Sequence, residues 1–186
     1  FKSLGELMAQ ARSKPGEVSY GSSGNYGTVH VPIEIFAHEA RLKLNHIPYT
    51  GGGPLMVGLL GAQVDFTMLP RSSITSQVRA GKLRILATVG ADVWPQFPSA
   101  PNTAALGLNV DVQPWTGAFV PVDTPPNVVE RLRSAFRVAS ENPDFKQALL
   151  KAEGGPAYLD AAEFKSFWDQ DVARLTQAVR RMGKLD

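Results

Sequence analysis

The sequence predicts an α/β fold with parallel strands, followed by a region that is almost wholly helical. From residue 17 to residue 89, short β-prone runs alternate with helix-like patterns, as in βαβ units with right-handed crossovers. Clusters of glycine, serine and proline separate these runs where helices are to begin. After residue 125, apolar residues recur every three or four positions, which is the period of an amphipathic helix.

The elements are predicted in the following order. Apolar residues at helical spacing predict a first helix over residues 3–12, and Pro15 and Gly16 end it. Further helices are predicted over 28–40, 54–61 and 72–80. Strands are predicted over 17–21, 42–47, 63–69, 83–89 and 109–120.

The last helix has the clearest pattern. Asp160 and Glu163 have the spacing of a capping box, with Asp in place of Ser or Thr, and Gly183 is the predicted stop. Its apolar stripe comprises Phe164, Trp168, Val172, Leu175, Val179 and Met182. Such a stripe packs either in the core of its own domain, which we favour, or against a partner.

Composition excludes several classes of protein. A hydrophobic content of 44% and a charged content of 19% over 186 residues are typical of a folded globular protein. The net charge of +2 gives no reason to expect a nucleic-acid partner. The sequence has no run of 18 apolar residues, so it predicts no membrane-spanning helix. It has no cysteine, which excludes disulfides and thiolate metal sites.

Three loops are candidate binding elements, because ligands of parallel α/β sheets bind beyond the carboxyl ends of the strands. They are "GSSGNYGT" at 21–28, "PYTGGGP" at 48–54 and "LPRSS" at 69–73. Each precedes a predicted helix, whose first N–H groups lack partners and carry partial positive charge. Glycine backbone and hydroxyl donors at such a place suit a carboxylate or a phosphate. The alternative is that the loops are ordinary turns.

The loops do not match common enzyme motifs. Residues 21–25 lack the second Gly of an esterase elbow, and the Gly-rich loop lacks the G-x-G-x-x-G spacing of a dinucleotide site. His30 and His38 lie about two helical turns apart, too far to share a metal ion. A role in packing or hydrogen bonding is therefore favoured over metal binding for the histidines. Asp65 is either a buried hydrogen-bonding acid beside the site or a polar residue of an edge strand.

Four segments together resemble the substrate-binding receptors of tripartite tricarboxylate transporters, the Bug family. They are "PGEVSYGSSGNYGTVHVPIEIF", "LNHIPYTGGGPLMVGLLGAQVDF", "VRAGKLRILATVG" and "WTGAFVPVDTPPNVVERL". The resemblance implies an α/β lobe like that of periplasmic binding proteins, with a parallel-rich sheet flanked by helices, plus a C-terminal helical part of the other lobe. It assigns residues 1–13 to a hinge-side helix of the first lobe, 14–112 to the second, ligand-binding lobe and 113–186 to the C-terminal part of the first.

The resemblance also implies a function. Such receptors are extracytoplasmic, periplasmic solute-binding proteins made as signal-peptide-bearing precursors, and they are not enzymes. They close on a small organic carboxylate without a cofactor or metal and deliver it to the membrane permease subunits of the transporter. Family members carry a further N-terminal portion, which is the expected partner of this chain within the same protein. The alternative is an enzyme or a sensor domain that uses the Gly-Ser loop to bind an anionic substrate.

The resemblance carries ligand-binding roles to matching positions. In the first loop these are Ser22, Ser23, Gly24, Asn25, Gly27 and Thr28, and in the second they are Tyr49, Gly51 and Gly52. We expect Tyr26, which is bulkier than usual at its position, to narrow the pocket. In the third loop, Arg71 stands beside Ser72 where small or polar residues are common in the family. Arg71 therefore either pairs with a second ligand carboxylate or lies in solvent at a helix start.

Overall fold

The computed structural model describes residues 1–90, 94, 97–110, 112, 114–152, 154 and 157–181. The chain divides into two units. The larger unit comprises Phe1–Pro114 with Ala178–Asp186, and the smaller unit comprises Trp115–Gln177. The assignment of residues 1–13, 14–112 and 113–186 to two lobes stays a prediction.

The sheet of the larger unit has two short parallel strands, and a third segment is bridged to it at one residue. Strand β1 (Ser19–Ser22) pairs with β2 (Asn45–Pro48) in parallel, with Ser22 opposite Pro48. On the other side of β1, Tyr20 forms a parallel bridge with Phe66. The carboxyl ends of the three segments therefore lie at one edge of the sheet.

The described part of the larger unit also contains four helices. They are α1 (Leu4–Ser13), α2 (His30–Glu39), α3 (Gly52–Leu60) and α4 (Arg71–Arg79), and a short 3-10 turn follows at Ala104–Leu106. Each of the four lies within two residues of a helix predicted from the sequence, and strands alternate with helices as expected. The predicted α/β fold class is confirmed.

One apolar core holds the larger unit together. Its least exposed large side chains come from four elements: Leu7 of α1, Tyr20 of β1, Ile33 of α2 and Leu55 of α3. Burying a side chain of this size contributes about 1.5–3 kcal/mol each, so the core is the main source of this unit's stability. Val110 belongs to the same cluster, far along the chain from α1.

Three of the predicted strands are wrong in the part of the chain that the structure describes. The run 63–69 pairs only at Phe66, and the run 83–89 pairs only at Thr88. The described residues of 109–120 form no strand. A strand needs the backbone of a neighbour, and β-prone side chains alone do not supply that pairing.

The smaller unit is helical, as predicted. It contains α5 (Pro126–Glu141), α6 (Pro143–Lys151) and most of α7 (Ala161–Arg181). An aromatic cluster joins α7 to the segment that begins the unit, where Trp115 lies edge-on to Phe164 with ring centroids 5.2 Å apart. The predicted end of the last helix at Gly183 lies outside the described residues. No described helix of the chain is long and apolar enough to cross a membrane.

The start of α7 confirms half of the predicted capping box. The carboxylate of Glu163 accepts the Asp160 N–H at 3.2 Å, but Asp160 caps the N–H of Ala161 at 2.8 Å instead of that of Glu163. Arg133 and Arg137 of α5 also bind Asp160, at 2.9 and 2.6 Å. Hydrogen bonds from Arg133, Ala161 and Arg137 together hold the pKa of Asp160 below its usual range.

Candidate functional site

The three predicted loops leave the sheet at the same edge. The Tyr49 N–H of the second loop donates to the Ser22 carbonyl at 2.9 Å, which joins the first two loops directly. On the other side, the Thr67 hydroxyl donates to the Gly21 carbonyl at 2.8 Å, just before the third loop. The sequence predicted a common edge for these loops, and the structure shows it.

The first loop presents both backbone and side chains to solvent. Asn25, Tyr26 and Thr28 are exposed, while Ser23, Gly24 and Gly27 are half-buried. Gly24 has φ +135° and Tyr26 has φ +58°, so the loop twice enters the region that favours glycine. At Tyr26 this conformation is strained and needs support from its surroundings.

The three helices that follow the loops begin without a side-chain cap. The residues at their N-cap positions are Val29 for α2, Gly51 for α3 and Pro70 for α4, and none makes a side-chain hydrogen bond to the helix start. Helix α1 differs, because the Ser3 hydroxyl accepts the Glu6 N–H at 3.2 Å. The starts of α2, α3 and α4 therefore have no side-chain acceptor at the N-cap position, where an anion would be stabilised.

In the second loop, glycine and tyrosine have different surroundings. A Cβ atom on Gly52 would meet no atom within 4 Å, so its backbone is open to approach. The Tyr49 ring lies against α3, where a Cβ atom on Gly58 would come within 2.4 Å of the tyrosine hydroxyl. That hydroxyl donates to Gln63 Oε1 at 3.3 Å. Tyr49 thus supports the loop through packing, and its predicted ligand contact stays a prediction.

The third loop places a cation at the start of α4. Arg71 is half-buried, and its guanidinium carbon lies 5.8 Å from the centroid of the Trp94 ring. A guanidinium at that distance over an indole is attracted by the ring. Ser72 follows in the first helical turn and is exposed. Ligand contacts of Arg71 and Ser72 stay predictions.

The sequence prediction did not connect two histidines to the first loop. His46 of β2 lies with Nε2 2.7 Å from the Ser22 hydroxyl, and its ring stacks on His30 with centroids 4.0 Å apart. Tyr20 stacks on His46 at 4.8 Å. For His46, the signal that could have found the contact is the parallel register, which puts His46 opposite Tyr20 and Ser22 opposite Pro48.

His30 in turn holds the backbone of the loop. The Tyr26 N–H donates to His30 Nδ1 at 2.8 Å, and His30 Nε2 lies 3.8 Å from Glu34 Oε1. Glu34 also accepts a hydrogen bond from the Tyr20 hydroxyl. Burial, followed by the hydrogen bond and negative charge of Glu34, raises the pKa of Tyr20 above its ordinary value. We name Tyr20, His30, Glu34 and His46 the polar column.

The Ser22–His46 contact lacks the features of a catalytic pair. Ser22 is fully buried, and its hydroxyl donates to the Gly24 carbonyl at 2.9 Å. His46 Nε2 must therefore donate to Ser22, whereas activation of a serine needs a base that accepts its proton. The contact fixes the end of β1 instead.

Two further predictions concern acidic and metal-binding groups. Asp65 is exposed and accepts hydrogen bonds from the Ser19 N–H and hydroxyl, at 2.7 and 2.8 Å, at the opposite end of β1 from the loops. The alternative of a buried acid beside the site is therefore wrong. Within the described ranges, no three His, Cys, Asp or Glu side chains are arranged to hold a metal ion.

Solved structures identify the class of protein. An R. palustris protein solved with adipate matches 98% of this chain with a TM-score of 0.89 at 23% identity, and the chain covers 62% of it. A structure described as a periplasmic transporter matches 98% of the chain with a TM-score of 0.84 at 30% identity, with 61% of it covered. The fold is that of a periplasmic solute-binding protein.

The chain belongs to the tripartite tricarboxylate transporter receptor family, whose sequence profile matches residues 1–184. A protein encoded in the tcbD–tcbE intergenic region of Pseudomonas sp. strain P51 is 35% identical over 175 residues, which are 89% of this chain and 51% of that protein. BugT of Bordetella pertussis is 29% identical over 182 residues, which are 97% of this chain and 56% of BugT. The chain thus spans about half the length of each of these two relatives. The family consists of periplasmic receptors and not of enzymes.

Proposed function

We propose that this chain supplies ligand-binding loops to a periplasmic receptor that captures a small organic carboxylate for a tripartite tricarboxylate-type transporter. Binding is noncovalent and uses backbone N–H groups, hydroxyls and Arg71. The receptor then delivers the ligand to the membrane permease subunits of the transporter.

One observation carries the proposal: three helices begin uncapped at one edge of one sheet. The starts of α2, α3 and α4 follow the three loops, and their N-cap residues offer no side-chain acceptor. Each helix start carries about half a unit of positive charge, which an anion stabilises. The open backbone at Gly52 allows that anion to approach closely.

The size and charge of the ligand have weaker support. Two similar folds carry dicarboxylates by their descriptions: the R. palustris protein with adipate, and MatC from Rhodopseudomonas palustris with bound malate, which has a TM-score of 0.83 at 21% identity. Arg71, at the start of α4, offers a cation to a second carboxylate. A dicarboxylate is therefore the ligand class we favour.

A thermal-shift screen of the purified protein tests the proposal. The panel contains adipate, malate, citrate, hexanoate, glucose and AMP, with titration calorimetry and product analysis for each ligand that shifts the melting temperature. A ligand at a hundred times its dissociation constant adds about 2.7 kcal/mol of stability. Stabilisation by carboxylates without turnover supports a receptor. Stabilisation by AMP alone, or turnover of a bound carboxylate, contradicts it.

Arg71→Ala tests the proposed second contact. We expect adipate to lose at least about tenfold in affinity, the value of one charge-assisted hydrogen bond, while hexanoate changes little. The matched control is Arg79→Ala, which removes an exposed arginine from the last turn of the same helix. Equal losses for adipate and hexanoate, or an Arg79 effect as large as that of Arg71, would remove Arg71 from the site.

A further inference from the structure

We propose that His30 is a positioning residue for the first loop: its neutral imidazole holds Tyr26 in the binding conformation, and protonation of the ring in mild acid releases the loop. Ligand binding then weakens as the pH falls. The inference rests on the proposed function, because it concerns the loop that is to bind the carboxylate.

The hydrogen bond to Tyr26 determines the protonation state of His30. A backbone N–H can only donate, so His30 Nδ1, 2.8 Å away, must accept with a free lone pair. The proton of the neutral ring is then on Nε2, which faces Glu34 at 3.8 Å. A second proton on Nδ1 would set two N–H groups against each other and break the bond to Tyr26.

The bond holds a backbone conformation that would not persist without support. Tyr26 has φ +58°, a region that a tyrosine enters at a cost of about 1 kcal/mol or more. The side chain of Tyr26 is exposed, and its ring is tilted at 55° to His30, 5.6 Å away. The N–H to Nδ1 bond is therefore a directional contact that keeps this residue in place.

Some groups around His30 favour the protonated ring, and others disfavour it. Glu34 on α2 favours a charged ring, while burial of the imidazole, only 9% exposed, disfavours it. The face-to-face ring of His46 on β2 lies 4.0 Å away, so the two imidazoles oppose simultaneous charging. Tyr20 on β1 and Tyr26 in the loop are uncharged neighbours, with centroids 6.1 and 5.6 Å away.

The neighbouring contact of His46 makes the effect specific to His30. His46 Nε2 donates to the Ser22 hydroxyl, so this bond survives whether His46 is neutral or protonated. The Tyr26 bond, by contrast, requires an unprotonated acceptor. Acid is thus expected to free the middle of the loop around Tyr26 while Ser22, near its start, stays fixed.

Three histidine variants separate positioning from general stability. His30→Asn keeps an acceptor near the Nδ1 position but cannot titrate. His30→Leu removes the acceptor at every pH. His38→Asn is the matched control, because His38 lies on the same helix with an exposed side chain.

The first measurement uses the purified protein without ligand. NMR follows the Tyr26 amide exchange rate and the histidine ring signals from about pH 8 to about pH 5. In the wild type and in His38→Asn, we expect Tyr26 to lose exchange protection in step with the His30 titration. In His30→Asn protection should persist to acid pH, and in His30→Leu it should be absent throughout.

Two results would overturn the inference. Tyr26 could remain protected through the whole His30 titration, which would mean that another contact holds the loop. His30→Asn could lose protection with the same pH profile as the wild type, which would assign the effect to Glu34 or to another group. If His30→Leu does not fold, His30→Asn still decides between these outcomes.

A second measurement adds adipate as the probe. The apparent dissociation constant of the wild type for adipate should rise about tenfold for each pH unit below the midpoint of the His30 titration, because only the form with neutral His30 binds. His30→Asn should show no such rise, and it corrects for protonation of adipate itself. Loss of Tyr26 protection without any adipate binding would contradict the proposed ligand class and leave the positioning role intact.

Discussion

The two units of the molecule differ in the interactions that stabilise each of them. Among the described residues of the larger unit, sixteen hydrophobic ones are buried, and one cluster of them joins α1, β1, α2 and α3. In the described part of the smaller unit no hydrophobic residue is buried, and Asp171 is the buried residue. Edge-to-face aromatic contacts and ion pairs stabilise the smaller unit, whereas an apolar core stabilises the larger one.

The difference explains where the candidate site lies. Loops that bind a ligand need a rigid support, because a misplaced donor loses most of its interaction energy. The three loops emerge from the unit with the core, and the polar column lies directly beneath the first of them. The smaller unit instead exposes large apolar side chains, among them Phe119, Val122, Phe136 and Leu150.

The largest expected effect contrasts one phenylalanine from each unit. Phe36→Ala in the core should lower the free energy of unfolding by about 3–5 kcal/mol, through lost burial and the cavity it leaves. Phe136→Ala on α5, where the side chain is 51% exposed, should cost less than about 1 kcal/mol. Urea unfolding monitored by circular dichroism measures both. Equal costs would show that this face of α5 is buried in solution and would remove the contrast.

The next effect tests the polar anchor of the smaller unit. Asp171 accepts the Trp115 indole N–H at 2.9 Å and pairs with Arg174 at 2.5 Å. Asp171→Ala should cost about 2 kcal/mol, because it removes a charged acceptor that is buried. Asp171→Asn keeps an acceptor and should cost less. Tryptophan fluorescence during urea unfolding reports the change, and identical costs for the two variants would deny Asp171 this role.

A smaller effect concerns the contact between Tyr49 and α3. Gly58→Ala puts a methyl group 2.4 Å from the tyrosine hydroxyl, so overpacking should exceed the gain in helix propensity and cost about 1 kcal/mol. Gly53→Ala, in the first turn of the same helix, meets no atom within 4 Å and should be neutral or stabilising. Thermal unfolding compares the two. A neutral Gly58→Ala would mean that the Tyr49 ring moves freely.

The smallest effect is the pH dependence of the smaller unit. The pKa of Asp160 is held below its ordinary value of 3.8, so its charged form stabilises the folded protein. That stability is present above about pH 4 and is lost as the pH falls through the folded-state pKa. In Asp160→Asn, the urea concentration at the midpoint of unfolding should decrease less steeply as the pH is lowered into the acid range. Asp169→Asn, which removes a surface ion pair with Lys165, should leave the pH dependence of that midpoint unchanged.

Local pattern was enough to predict the helices but not the sheet. The start of α7 could be predicted because Asp160 and Glu163 are three residues apart, and the capping contact involves neighbours in sequence. The run 83–89 has equally clear β-prone residues but pairs only at Thr88, because pairing depends on a distant partner. The common edge of the three loops followed from the βαβ order, which is a rule of topology.

The support beneath the site could not be predicted in the same way. The loop residues stand together in sequence, but His46 reaches Ser22 from 24 residues away through the β1–β2 register. The sequence does not indicate the positive φ at Tyr26, because the usual signal for such a conformation is a glycine. Side-chain chemistry thus indicated the loop, and tertiary contacts decide its shape.

The membership of Val110 in the same core as Leu4 has a consequence for how the protein is made. Nearly the whole larger unit must leave the ribosome before its core can close, because the two ends of that core are so far apart in sequence. Contacts of this separation give a high contact order and slow folding. The helices of the smaller unit, whose turns form from neighbouring residues, need no such delay. Closure of this core is therefore a late step in the folding of the larger unit.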